Sequence, residues 1–175
     1  MPSRDPNSLK ERTRERLQHL QHLLTQRGLD VLFYCMHRSE EEQARLFRNG
    51  RSLQEIEHKA LELRKVYHRP DLAELLMDVG PQYGRHIVTW AGPGQSMHNY
   101  GYAIDGVPMR DGKPVWRTLD DPGTEDVNEA SLWVGYGELA QLAGFDWAGE
   151  WSPAKREYPH IQEPGVHWKD LIHNG

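Results

Sequence analysis

The spacing within Ser96-Met97-His98-Asn99-Tyr100-Gly101-Tyr102-Ala103-Ile104-Asp105, answered much later by Glu157-Tyr158-Pro159-His160, constrains this chain more than any other feature. His98 and Asp105 stand seven residues apart. No helical face accommodates that separation, because side chains on one face recur at three or four residues. A loop leading into a strand does. Gly101 and the small Ala103 let the backbone turn and pack closely, so that both ends can converge, while His160 has to arrive from a distant segment. Two imidazoles and one carboxylate suit a catalytic zinc, which keeps a fourth position open and acidifies water there to a pKa of roughly 7.

Pro159 biases the residue before it toward an extended backbone, so Glu157 and His160 are expected on a strand or loop. The helical His-Glu-x-x-His arrangement is absent from the sequence. A glutamate that is not itself a ligand can still accept the proton of a metal-activated water and deliver it to a leaving amine.

These residues resemble the LAS-type zinc peptidases of bacterial cell walls, which include D-alanyl-D-alanine carboxypeptidases and dipeptidases and the L-alanyl-D-glutamate endopeptidases found among phage endolysins. The family pattern Ser-x-His-x-x-Gly-x-Ala-x-Asp is met by Ser96, His98, Gly101, Ala103 and Asp105, and its second signature by Glu157 and His160. Val88 to Gln95 and Gly144 to Trp151 look like the family's lead-ins to its two ligand blocks, and His37-Arg38-Ser39 with Glu42-Gln43 and Gly50-Arg51 is similar to its arginine-bearing segment. The resemblance implies zinc held by His98, Asp105 and His160, with Glu157 as the proton carrier. It implies also that Arg38 stabilises the oxyanion that develops on the substrate carbonyl. Two departures stand out: about thirty residues of helical character separate Arg51 from Gly84, more than the family leads one to expect, and His37 sits where a tyrosine is more usual.

The rest of the chain sets bounds. At 175 residues it fits one domain, 1–175, with a helical insertion at about 52–84. Its 21 basic and 26 acidic residues give a net charge of −5, which points away from nucleic acid and anionic membranes and toward a small or peptide-like partner. Cys35 is the lone cysteine, so no internal disulfide forms, and its apolar setting Val31-Leu32-Phe33-Tyr34-Cys35 suits a buried structural thiol. The sequence opens on charged residues without a signal-peptide core and has no transmembrane-length run, so synthesis in the cytoplasm without membrane insertion is expected. A wall-cutting enzyme of that kind acts once another protein has breached the membrane, as a bacteriolytic phage endolysin does. A monomer is the default.

Periodicity and caps give the elements. Ser8-x-x-Glu11 reads as a capping box for a helix over about 9–27, with an apolar stripe of Leu17, Leu20, Leu23 and Leu24 ending before Gly28. A strand over Val31–Cys35 follows, then a helix capped by Ser39 with Glu42 in the box position and stopped by Gly50. Leu53 to Val79 reads as two helices broken at Arg69-Pro70-Asp71, with Asp71 capping the second. Ile87 to Trp90, Tyr102 to Pro108 and Pro114 to Arg117 read as strands, Asn128 to Ala143 as a helix ended by Gly144, and the tail 166–172 as a short closing helix. The pattern predicts an α+β fold: a small, mainly antiparallel sheet carrying the zinc ligands, flanked by helices. The resemblance implies the same architecture, shared by D-Ala-D-Ala peptidases and the hedgehog signalling domain.

Ser96, Gln43 and Tyr100 are candidates for substrate contact. Ser96 equally suits orienting His98 or closing a turn, and Gln43, one turn after Ser39, suits a solvated or helix-bonded amide. Trp90, Trp147 and Trp151 flank the ligand segments and suit cleft walls or core. The expected activity is zinc-dependent hydrolysis of the peptidoglycan stem peptide at its L-alanyl-D-glutamate bond. D-alanyl-D-alanine carboxypeptidase or dipeptidase activity is one alternative, and a non-catalytic zinc domain that binds a partner is the other.

Overall fold

The structure, a computed structural model, describes residues 1–80, 84–120 and 127–173. In chain order its elements are α1 (Glu11–Arg27), β1 (Val31–Cys35), α2 (Glu40–Arg48), α3 (Leu53–Lys65), α4 (Pro70–Asp78), β2 (Ala103–Arg110), β3 (Lys113–Pro114), α5 (Val127–Leu142), β4 (Asp146–Trp147), β5 (His160–Gln162) and α6 (Trp168–Leu171). They gather into two compact units: a sheet unit of Ser3–His37 with Gly101–Gly165, and a helical unit of Met1–Pro2, Arg38–Tyr100 and Val166–Gly175. The α+β class expected from the sequence is borne out.

In the sheet unit the strands run in the order β1-β2-β5-β4, with β3 on β2, and every pairing is antiparallel. β2 is central and buried along six of its eight residues. Side chains alternate between faces along a strand. Ile104 and its cross-strand partner Ile161 turn into a core with Leu17, Leu20 and Leu24 of α1 and Trp133, Tyr136 and Ala140 of α5. The next pair, Asp105 opposite His160, therefore projects from the other face. Truncating one of these fully buried leucines to alanine would cost about 2–5 kcal/mol.

α1 ends as its sequence predicts, with Gly28 in the left-handed conformation at φ 64° and its N–H on the carbonyls of Leu24 and Thr25. Its start differs. Pro6–Ser8 form a 3-10 turn in which Ser8 Oγ donates to the Asp5 carbonyl at 2.6 Å, so the N-cap falls to Lys10 and the expected Ser8 capping box does not form.

The helical unit packs Phe47 of α2, Ile56, Ala60 and Leu63 of α3, and Leu72, Ala73 and Leu76 of α4 with Ile172. Ser39 with Glu42 makes the expected reciprocal capping box on α2, and Ser52 with Glu55 makes a second on α3. α4 starts on Pro70 with Arg69 as N-cap. Asp71 is therefore not the cap: its carboxylate takes Arg69 Nε and Nη2 at 2.8 and 2.7 Å. Arg48 Nη1 donates to the Leu76 and Met77 carbonyls at 2.7 and 2.9 Å, supplying partners that the end of α4 lacks.

The strand expected over Ile87 to Trp90 is not one. Side chains take acceptors in and just after it: Arg51 Nη2 donates to the Thr89 carbonyl at 2.6 Å and Gln43 Nε2 to the carbonyl of the following Ala91 at 2.7 Å. Likewise, of the strand expected over Pro114 to Arg117 only Pro114 is one, as the second residue of β3. Among the described residues no helix is long and apolar enough to cross a membrane.

Candidate metal centre and its supporting residues

Each unit carries part of the predicted constellation. In the helical unit, His98 lies buried on a single 3-10 turn, Met97–Tyr100, that follows a tight Gly92–Gln95 turn. The turn is held by side chains. Asn99 Oδ1 accepts from the N–H groups of Gly94 and Ser96 at 3.1 and 3.3 Å, and Asn99 Nδ2 donates to the Arg38 carbonyl at 2.8 Å. The Arg38 N–H returns a bond to the His98 carbonyl at 3.2 Å. Backbone bonds therefore tie Arg38 and His98 together although sixty residues separate them in sequence.

Gln95 ties the same turn to α3. Its Oε1 accepts from Lys59 Nζ and from the Gly92 N–H, at 3.2 and 3.1 Å, while its Nε2 donates to Glu62 at 3.2 Å. The Arg38 guanidinium is held in turn: Nη1 donates to Gln43 Oε1 at 3.0 Å. Gln43 is fully buried, its Nε2 committed to Ala91, which corrects the solvated-amide reading. Ser96 Oγ accepts from the His98 N–H at 3.4 Å, a turn-closing contact. The Tyr100 hydroxyl donates to the Gly94 carbonyl at 2.8 Å. Burial, with the charge of Glu40 added and that of Arg69 opposing, pushes this phenol up to about 12. It is a fixed neutral donor at any physiological pH.

In the sheet unit, β2 and β5 place Asp105 and His160 directly opposite one another, both buried, with Asp105 Oδ1 and His160 Nδ1 3.2 Å apart. The other ring nitrogen, Nε2, stands 3.1 Å from Gln162 Oε1. The Trp151 ring lies 5.7 Å from the imidazole, whereas Trp147 is core and donates its indole N–H to the Tyr158 carbonyl at 2.8 Å. Trp90, in the helical unit, is exposed and not core. Burial alone would lower the pKa of His160. The hydrogen bond and charge of Asp105, the charge of Glu157 and the contact with Gln162 outweigh it and raise the pKa above its ordinary value.

Glu157 lies in the loop just before β5, exposed to solvent, in a turn closed by the His160 N–H on its carbonyl at 3.1 Å. The loop is anchored from both sides. The Pro159 carbonyl accepts from Gly106 N–H at 3.0 Å and from the Tyr136 hydroxyl at 3.1 Å, and the Glu157 N–H donates to the Ala148 carbonyl at 3.2 Å.

The Asp105–His160 pair has the form of a metal half-site. With metal–ligand bonds of 2.0–2.1 Å, two ligands on one tetrahedron lie about 3.4 Å apart; the two donor atoms here are 3.2 Å apart. The ring nitrogen facing away from the carboxylate meets an acceptor, the Gln162 amide oxygen, as the outer nitrogen of a metal-bound imidazole usually meets a carboxylate, carbonyl or water. The residues present therefore fit a zinc ion. Sequence reasoning missed Asn99, Gln95 and Gln162. Only Gln162 left a usable signal, standing two residues after the expected ligand His160 on a strand and so on the same face.

Comparison with known proteins bears on what this buried carboxylate–imidazole pair can do. Residues 89–163 match a family model described as D-alanyl-D-alanine carboxypeptidase. The chain is 40% identical over 78 residues to the peptidoglycan L-alanyl-D-glutamate endopeptidase CwlK of Bacillus subtilis strain 168, a match covering 44% of each protein. It thus spans less than half the length of that relative. Among solved structures it is similar to the L-Ala D-Glu endopeptidase ChiX of Serratia marcescens (TM-score 0.44, 15% identity, 95% of this chain and 86% of that one). It is also similar to the vancomycin resistance D,D-pentapeptidase VanY in complex with Zn(II) (TM-score 0.47, 18% identity, 95% and 79%). The segment matched by the family model contains His98, Asp105, Glu157 and His160.

Proposed function

We propose that the chain is a zinc-dependent peptidoglycan peptidase that cleaves the stem peptide, at the L-alanyl-D-glutamate bond. The observation that carries the reading is the Asp105–His160 pair, set 3.2 Å apart within the segment matched to peptidases. His98, Asp105 and His160 hold the metal. Bound zinc supplies Lewis acidity at neutral pH.

Glu157, in a solvent-exposed loop that Tyr136, Gly106 and Ala148 hold in place, takes a proton from the attacking water and hands it to the leaving amine. Arg38, with one guanidinium nitrogen fixed by buried Gln43, donates to the oxygen on which negative charge develops. Ser96 and Tyr100 act through the backbone turn that carries His98, and their bonds to the His98 N–H and the Gly94 carbonyl support that role over substrate contact.

The choice of bond follows the named activity of the 40%-identical relative. The description of the matched family supports a second reading, removal of terminal D-alanine. Defined muropeptides resolved by mass separate the two: loss of alanine alone marks the carboxypeptidase, and release of a stem beginning at D-glutamate marks the endopeptidase. Glu157→Gln should keep zinc bound and lower kcat at least 100-fold. Turnover near the wild-type rate would overturn the proton-carrier assignment. A bacteriolytic role belongs to the same reading, and turbidity loss of permeabilised cells would support it.

A further inference from the structure

We propose that Gln162 is a positioning residue that sets the ring of His160 so that Nδ1, and not Nε2, is presented to the metal. The inference rests on the zinc reading above and extends it to a residue outside the ligand set.

The strand places Gln162 for this task. His160 and Gln162 are alternate residues of β5 and project from the same face. In the register of β2 with β5, Asp105 stands opposite His160 and Ala103 opposite Gln162. Ala103 is fully buried and ends at its methyl group, so the Gln162 amide can fold along the strand toward the imidazole. Its Oε1 reaches His160 Nε2 at 3.1 Å.

An amide oxygen only accepts, so the nitrogen it faces is the one that carries a proton. Nε2–H is thereby committed, so Nδ1, 3.2 Å from Asp105 Oδ1, is the nitrogen that a cation can take once it displaces the proton shared with that carboxylate. Trp151, with its ring 5.7 Å away and inclined at 55°, packs against the imidazole. Two neighbouring cross-strand pairs thus divide the work: Asp105 and His160 supply ligand atoms, while Ala103 and Gln162 supply the space and the acceptor that orient one of them. Outer partners of this kind typically change metal affinity 10- to 100-fold when removed.

The test uses zinc dissociation constants from competition with a chromophoric chelator, together with the ring tautomer of His160 read by long-range proton–nitrogen correlation in the zinc-loaded protein. Gln162→Leu keeps the bulk and removes the acceptor; it should weaken zinc binding roughly 10- to 100-fold. Gln162→Glu keeps an acceptor and should stay within a few-fold of wild type, a rescue that a merely space-filling role would not show. A leucine variant that binds zinc as tightly as wild type overturns the proposal. So does a wild-type His160 protonated at Nδ1 when zinc is bound, a result independent of whether any variant folds. Failure of the underlying reading looks different: wild-type protein that takes up no zinc, or His160→Ala that binds it undiminished, removes the ligand assignment itself and Gln162's role with it.

Discussion

Replacing Gln43 is predicted to loosen the helical unit and disable the site together. Its amide is fully buried and makes three contacts: Nε2 to the Ala91 carbonyl at 2.7 Å, Nε2 to Thr89 Oγ1 at 3.4 Å, and Oε1 from Arg38 Nη1 at 3.0 Å. In Gln43→Leu the Ala91 carbonyl loses this donor, which costs about 1–3 kcal/mol where water cannot replace it. The bond to the guanidinium is worth about 1.5–3 kcal/mol by the same measure. Arg38 is only partly buried and recovers some hydration, so about 2–4 kcal/mol is expected in total, the shared side chain making the two losses non-additive. Gln43→Glu separates them, because it keeps an acceptor for Arg38 while setting a carboxylate against the Ala91 carbonyl. Urea unfolding gives the stability and steady-state cleavage of a defined muropeptide gives kcat. Leucine should lower both, and glutamate should cost stability while retaining more of kcat. A leucine variant within 0.5 kcal/mol of wild type would refute the reasoning, since that is the range of a neutral surface change.

Two further perturbations probe the frame around the site. Glu163, buried immediately after β5, meets Arg12 Nε and Arg16 Nη1 of α1, each at 3.1 Å. Removing one partner of a fully buried pair costs about 3–5 kcal/mol; Arg12 is mostly exposed, so Glu163→Gln should cost about 2–3 kcal/mol in thermal or urea unfolding, and a change below 0.5 kcal/mol would show that the pair contributes nothing. Asp71 gives a pH signature. The hydrogen bonds from Arg69 hold its carboxyl below the usual range, with burial opposing. A depressed carboxyl contributes stability that is present above its unfolded pKa, about 3.9, and is lost as pH falls through the lower folded value. Asp71→Asn should therefore destabilise the protein at neutral pH, by less than about 1 kcal/mol because the side chain is largely exposed, and the difference should vanish in acid. Parallel pH curves for the two proteins would contradict that origin.

Local signals in the sequence were read well where local physics decides the outcome. The leucine stripe of α1, the left-handed Gly28 and the Ser39–Glu42 box depend on neighbours within a turn, and each is found as the spacing predicts. Ser52-x-x-Glu55 carried the same signal as Ser39-x-x-Glu42 and makes the same box. Two misreadings are local, since Ser8 bonds back to the Asp5 carbonyl and Asp71 binds Arg69 instead of capping α4; the others come from partners far away in sequence. Ile87 to Trp90 has the composition of a strand, but Arg51 and Gln43 take carbonyls in and just after it that a neighbouring strand would need. Gln43 looked solvated because the segment that buries it follows more than forty residues later. For the site, the ligand motif is legible because a coordination sphere restricts both residue type and spacing. The residues that hold it, Asn99, Gln95 and Gln162, are common amides whose roles appear only once turn and strand register are known.

The most direct measurement is mass analysis of purified peptidoglycan digested by zinc-loaded protein, beside a sample stripped with chelator and one stripped and then resupplied with zinc. The account predicts products beginning at D-glutamate in the first and third samples and none in the second. Intact wall in all three, from protein that binds zinc stoichiometrically, would contradict it and leave a zinc domain whose role is binding.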